Sequence, residues 1–204
     1  MSELGRDSGS NDLPQNLPNL LTGLRIAAIP LMVVCYYLPQ PISTVGAAVV
    51  FIVAAVTDWF DGWVARRMGQ TSQFGAFLDP VADKLLVTVA LILLMHRMDN
   101  VLITLAGMVV IGREIVISAL REWMAQLGKQ ASVAVSGIAK VKTGVQMTAI
   151  PILIWYPSWP AVEEIRLLGL FLLALAVVLT LWSMTLYFRA FLATLEEEAS
   201  PPEG

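Results

Sequence analysis

The sequence predicts an all-α integral membrane protein, a six-transmembrane-helix bundle with a short N-terminal interfacial helix. Hydrophobic residues make up 57% of the chain and charged residues 14%, and the mean hydropathy is +0.72. Soluble domains run at about 45–50% apolar and about 25% charged. The apolar residues fall into runs separated by proline, glycine and charge. A membrane-spanning helix takes about 20 residues, so a chain of 204 residues accommodates six spans with short loops and no sizeable soluble domain.

Residues 1–12 are small and polar and lack the basic, apolar and cleavage segments of a signal peptide, so they read as a disordered cytoplasmic tail. From Leu13 an interfacial segment leads into a first span over roughly 20–38, kinked at Pro30 and stopped by Pro39 and Pro41. Further spans follow at roughly 43–67, 75–95, 100–123, 141–156 (with Pro151 inside) and 164–193. The membrane domain thus covers 13–195, and 196–204 is an acidic tail. Cys35 is the only cysteine, which excludes an intramolecular disulfide and reads as a packing residue.

Lysine and arginine set the orientation. With the N-terminus inside, Arg6, Arg25, Arg66, Arg67, Lys84, Arg113, Arg121, Lys129, Lys140, Lys142 and Arg189 fall on the inner side, and only Arg97 and Arg166 outside. Both termini are then cytoplasmic. The outer ends carry Asp99, Glu163, Glu164 and the interfacial aromatics Trp155, Tyr156 and Trp159. His96, the single histidine, reads as a polar helix end on that side.

The stretch DWFDGWVARRMGQTSQFGAFLDPVAD interrupts this apolar chain. Asp58 and Asp61 are three apart near the inner end of the second span, and Asp79 and Asp83 are four apart near the start of the third. Each pair shares a helix face, and the short turn between the spans lets the two faces confront each other. Four carboxylates in a low dielectric need protons, arginine partners or hard divalent cations. Oxygen-only ligands without nearby histidine or cysteine suit Mg²⁺ or Mn²⁺ and argue against zinc or copper.

Small residues accompany the acids. Gly62, Ala65 and Gly75 lie on or near the carboxylate faces, where their size leaves room for a ligand against the backbone; helix packing is the bland alternative. For Asp79 the alternative is a helix start, with Asp79 as N-cap and Pro80 in the first turn. Arg66 and Arg67 could simply mark the inner interface. The cost of intramembrane charge weighs against so ordinary an account for all four acids.

The spacing Asp58-x-x-Asp61-Gly62-x-x-Ala65-Arg66, eight residues, Gly75-x-x-x-Asp79-x-x-x-Asp83 places eight fixed positions in 26 residues and resembles the signature of the CDP-alcohol phosphotransferase family. The segments NLPNLLTGLRIAAIP, GREI, REWMAQLGK and SVAVSGIAKVKTGVQM extend the resemblance from Leu13 to about Leu195, and they are similar to the bacterial branch whose acceptor is glycerol 3-phosphate. Departures are the polar N-terminal extension, Ser72 where the family often has threonine, and Gly137 and Ala139; these bear on fine substrate geometry.

The resemblance implies transfer of the phosphatidyl group from CDP-diacylglycerol to glycerol 3-phosphate, releasing CMP, as in phosphatidylglycerol and cardiolipin biosynthesis. Two divalent ions about 3.5–4 Å apart can bridge a diphosphate, with Asp58, Asp61 and Asp79 as principal ligands. Asp83 could also ligate, and by similarity to the family it is the base that takes the hydroxyl proton. Gly62, Arg66 and Ser72 match positions that contact the CDP part, as does Thr22; Gly75 stands with them, and for Ser72 a solvated turn residue is the alternative. A homodimer in the bacterial inner membrane, with its site facing the cytoplasm and no nucleic-acid partner, is also implied.

The acceptor needs cations of its own. Arg113, in the inner half of the fourth span, and Lys140 and Lys142, at the start of the fifth, have no acidic neighbour in sequence except Glu114. A phosphate dianion would supply their partner. Positive-inside anchoring is the alternative, and it is the preferred reading for Arg121 and Lys129. Among rival functions, a divalent-cation transporter would place polar groups through both leaflets. An intramembrane prenyltransferase would separate its aspartate motifs widely in sequence. Serine, inositol phosphate or phosphatidylglycerol as acceptor remain the nearest alternatives within the family.

Overall fold

The proline- and glycine-punctuated apolar runs form helices. A computed structural model describes residues 13–68, 73–126, 137–156 and 163–199, with side chains described over 22–58, 78–126, 141–156 and 163–192. The helices are α1 (Leu13–Tyr37), α2 (Ala47–Met68), α3 (Gln73–Met98), α4 (Val101–Gln126), α5 (Gly137–Trp155) and α6 (Glu163–Ala199). No strand occurs among the described residues. The expected tail over 1–12 lies outside them.

Several expected boundaries move. The interfacial segment and the first span are one continuous helix, with Pro30 carried inside it rather than a separate interfacial helix preceding a break. A π-helical turn, Ile42–Gly46, opens the second span, and Thr44 Oγ1 donates to the Pro41 carbonyl at 3.1 Å at this entry. α3 begins at Gln73 and runs through Pro80, so Asp79 is not the N-cap of a new helix. α6 continues past the expected end of the sixth span to Ala199, taking the start of the acidic tail into the helix.

Local chemistry explains the turns. Asn100 caps α4: its Oδ1 accepts from the Leu102 N–H at 2.9 Å and the Ile103 N–H at 3.4 Å. Asp99 takes a left-handed φ of 33°, which folds α4 back after a two-residue link. Arg97 donates from Nη1 to the Ser43 carbonyl at 3.2 Å and from Nη2 to the Tyr36 carbonyl at 3.1 Å. Its guanidinium sits 4.1 Å from the Tyr36 ring centroid. One arginine thereby satisfies a carbonyl at the end of α1 and ties that end to α3. On the same side Glu163, at the start of α6, accepts from Tyr156 at 3.1 Å and pairs with Arg166.

The core is built from Met32, Phe51, Leu86, Leu91, Leu94, Ile103, Ile150, Leu153 and Leu173, drawn from all six helices. Outward faces are also apolar: Val101, Leu105 and Met108 on α4 and Leu167, Phe171, Val178 and Trp182 on α6 are exposed. Such a surface is unfavourable in water and suits hydrocarbon. α4 and α6 (Val101–Gln126 and Glu163–Leu192) are each long and apolar enough to cross a membrane, while Thr22–Tyr37 and Ile42–Asp58 are shorter apolar stretches. α1 packs against both α2 and α3, which touch each other over a smaller area. The faces of α2 and α3 were expected to confront each other, and Asp58 of α2 and Asp83 of α3 do come together, against one guanidinium of α1.

Close approach of α5 and α6 depends on Gly169. A Cβ there would lie 2.7 Å from Leu153 Cδ2 and 2.8 Å from Leu153 Cγ, and Leu153 is fully buried. Gly169→Val should therefore force the helices apart, at a cost of about 1–3 kcal/mol. A lowered unfolding midpoint in detergent checks this, with Leu167→Val on the exposed face expected to change little.

Candidate active site

Three helices deliver charge to one place. Thr22 and Arg25, three apart on α1, share a face that meets Asp58 of α2 and Asp79 and Asp83 of α3. Arg25 Nη2 lies 2.8 Å from Asp58 Oδ1, and Nη1 lies 3.0 Å from Asp79 Oδ1 and 3.1 Å from Asp83 Oδ1. The Arg25 side chain is 0% exposed, whereas the carboxylates are 29–41% exposed. Thr22 Oγ1 donates to the same Asp79 oxygen at 3.1 Å. The planar, five-donor guanidinium can contact several carboxylates at once, which a single ammonium does less well.

This arrangement brings Asp58, Asp79 and Asp83 together and adds two contacts. Arg25, counted only as an inner-side charge, is the partner of all three acids. Thr22, matched to a CDP contact, bonds to an acid. Its spacing from Arg25 was the available signal, together with the depth argument that singled out Arg113. The side chains of Asp61, Gly62, Arg66, Gly75 and Lys140, and Ser72 as a whole, lie outside the described residues.

A metal is compatible with the donor chemistry, because the convergent groups are carboxylate oxygens. The described residues alone do not form a ready ligand cage: no group of three or more His, Cys, Asp or Glu among them is spaced to hold an ion. The predicted fourth acid, Asp61, falls outside that set.

Beside the aspartates lies a cavity of about 920 Å³ lined by Asp58, Arg113, Glu114, Arg121, Lys142 and Tyr187 among others. A smaller space of about 220 Å³ joins Asp58 and Asp83 to Glu114, Lys142 and Gln146. Glu114 was the one acidic neighbour of Arg113 and Lys142 in the sequence, and the structure pairs it with both. Its Oε1 accepts from Arg113 Nη1 and from Lys142 Nζ, each at 2.8 Å. Arg113 also donates to Ser183 Oγ at 3.2 Å, and both cations are buried. Burial without a counter-charge would be expensive, so the adjacent acid holds the pair in place.

Arg121, read as an anchor, lines the larger cavity instead. It donates to the Tyr187 hydroxyl at 2.6 Å. The Arg121 and Arg113 guanidinium carbons lie 5.2 Å and 5.9 Å from the Tyr187 ring centroid, within cation–π range. Its position two helical turns beyond Arg113 was the sequence signal for a shared face. Three cations and one carboxylate thus give this wall a net positive charge opposite the aspartates.

Removing the central guanidinium should be costly. Arg25→Met leaves three carboxylates facing one another, and the loss should be about 2–3 kcal/mol after allowance for their partial exposure. Arg25→Lys keeps charge without the fork and should fall between. Unfolding in detergent with EDTA measures both; equal stability of Arg25→Met and the wild type would contradict this reading of the contacts.

The comparisons with known proteins agree with this chemistry. The family model for CDP-alcohol phosphatidyltransferase matches residues 15–182. The chain is 51% identical over 184 residues to the CDP-diacylglycerol–glycerol-3-phosphate 3-phosphatidyltransferase of Escherichia coli K12, covering 90% of this chain and 98% of that protein. Proteins of the same name from Shigella flexneri and Shigella boydii match over the same shares at 51% identity. No solved structure matches the chain. Sequence and site together identify the chain as a member of the CDP-alcohol phosphatidyltransferase family.

Proposed function

We propose that this chain transfers the phosphatidyl group of CDP-diacylglycerol to glycerol 3-phosphate, forming phosphatidylglycerophosphate and releasing CMP. The single observation that carries the reading is the cavity joining Asp58 to Arg113 and Lys142, because it sets an acidic wall beside a cationic one. The names of relatives that the chain matches along most of its length support the same substrates.

In the reaction the primary hydroxyl oxygen of glycerol 3-phosphate forms a bond to the β-phosphorus of the donor, and the bond from that phosphorus to the CMP oxygen breaks. Asp83 takes the hydroxyl proton. Arg113 and Lys142, with Arg121 beside them, hold the acceptor phosphate by charge-assisted hydrogen bonds, and Lys140 joins them. Glu114 moderates that charge, keeping the cations oriented before the acceptor arrives. Thr22, Gly62, Arg66, Ser72 and Gly75 serve the CDP-diacylglycerol side, Thr22 through its bond to Asp79.

Asp58, Asp61, Asp79 and Asp83 would hold two Mg²⁺ or Mn²⁺ ions. Such ions, when bound, neutralise the diphosphate and the departing CMP. Arg25 orients the carboxylates from behind. The six helices cross the bacterial inner membrane as a bundle, with both termini and the site on the cytoplasmic side, and two chains associate as a homodimer. The apolar outer faces and the inner-side bias of lysine and arginine support this placement.

The deciding experiment measures labelled CMP release by purified protein with CDP-diacylglycerol and glycerol 3-phosphate, serine, inositol phosphate or phosphatidylglycerol. Release should require glycerol 3-phosphate; preference for another acceptor would overturn the assignment. EDTA should abolish the activity and Mg²⁺ or Mn²⁺ restore it, whereas full turnover in metal-free buffer would contradict the ion proposal. Arg113→Gln, Arg121→Gln and Lys142→Gln should each raise the KM for glycerol 3-phosphate roughly tenfold or more, at about 1.5–3 kcal/mol per contact, with donor binding little changed. An unchanged KM in all three would move the acceptor elsewhere.

A further inference from the structure

We propose that Gln146 recognises the secondary hydroxyl of the glycerol phosphate acceptor and thereby turns its primary hydroxyl toward Asp83. This rests on the phosphatidyl-transfer reading above and adds to it a specificity-determining residue.

Gln146 lies four residues after Lys142 on α5, so the two side chains share a face about 5–6 Å apart at their Cβ atoms. It lines the smaller cavity together with Asp58, Asp83, Glu114 and Lys142. The residue is only 5% exposed. Its carboxamide makes no hydrogen bond to another described residue and is not among the fully enclosed polar groups without a partner, so it opens on the cavity. Buried carboxamides are normally satisfied, because desolvation without a partner is costly.

The other polar side chains of this cavity are already engaged. Lys142 and Glu114 bond to each other, Asp83 faces Arg25, and Lys84 Nζ donates to Ser118 Oγ at 2.6 Å. Gln146 therefore keeps both donors and its acceptor for a ligand. A secondary hydroxyl needs one of each, and a carboxamide supplies both. With the acceptor phosphate held at Arg113 and Lys142 and its reacting hydroxyl at Asp83, the middle carbon passes the face that carries Gln146.

The test compares glycerol 3-phosphate with 3-hydroxypropyl phosphate, which keeps the phosphate and the primary hydroxyl but lacks the secondary one. Labelled CMP release gives kcat/KM for each. Wild type should favour glycerol 3-phosphate by roughly tenfold or more, because an unpaired buried amide penalises the deoxy acceptor. Gln146→Leu should lose that preference through a fall with glycerol 3-phosphate alone. A purely structural role would lower both acceptors together and leave the ratio intact, which would overturn the inference. Should the leucine variant not fold, Gln146→Glu, which keeps the shape but removes the N–H donors, should lose the preference in its place, and an unchanged ratio there, or a wild-type value near one, overturns the proposal. Wild type that uses neither phosphate acceptor would instead overturn the transfer reading, and this proposal with it.

Discussion

The contact between Arg25 and three aspartates is the constraint on which the rest of this structure depends. Carboxylates on two apolar helices repel and resist desolvation, so the helices that bear them cannot simply press together. α1 resolves the conflict by setting one guanidinium with 0% side-chain exposure against Asp58, Asp79 and Asp83 together. This explains why α1 packs extensively on both α2 and α3 while those two touch less. It also keeps the acids clustered yet partly exposed toward the cavity, the condition they need to meet a charged substrate.

The same logic recurs around Glu114 with the signs reversed. Arg113 and Lys142 are buried cations, and a single carboxylate oxygen of Glu114 accepts from both. Tyr187 adds a ring beside Arg113 and Arg121. Each half of the site thus contains one counter-charge that stabilises the cluster without cancelling it. Asp58, Glu114 and Lys142 line both cavities, so the acidic and cationic groups share walls rather than forming separate chambers, as the proposed transfer requires of its donor and acceptor. Direct transfer between two bound substrates follows naturally from that adjacency.

Much of this was legible in the sequence because charge in an apolar chain has few explanations. The clustering of Asp58, Asp79 and Asp83 and the burial of Arg113 and Lys142 both follow from the cost of desolvation, which composition exposes. The family of the chain was legible for the same reason, from eight positions in one short stretch. Contacts between distant helices were less so. Arg25 looks like any inner-side arginine until α1 is set beside α2 and α3, and Arg121 looks like an anchor until Tyr187 of α6 is opposite it. Asp79–Pro80 has the local pattern of a helix start, yet α3 begins earlier at Gln73, since tertiary packing overrides a single cap signal. The uncommitted amide of Gln146 could be noticed only once its neighbours' partners were known.

Shared walls between donor and acceptor predict a single displacement with no phosphatidylated enzyme, and isotope exchange tests that most directly. Labelled CMP incubated with the enzyme, Mg²⁺ and CDP-diacylglycerol should not enter the donor when glycerol 3-phosphate is absent. Incorporation should begin only when phosphatidylglycerophosphate is supplied, through reversal of the whole reaction. Rapid exchange of CMP into CDP-diacylglycerol without any acceptor would mean that the chain itself takes up the phosphatidyl group, and it would contradict the account of two substrates meeting in one cavity.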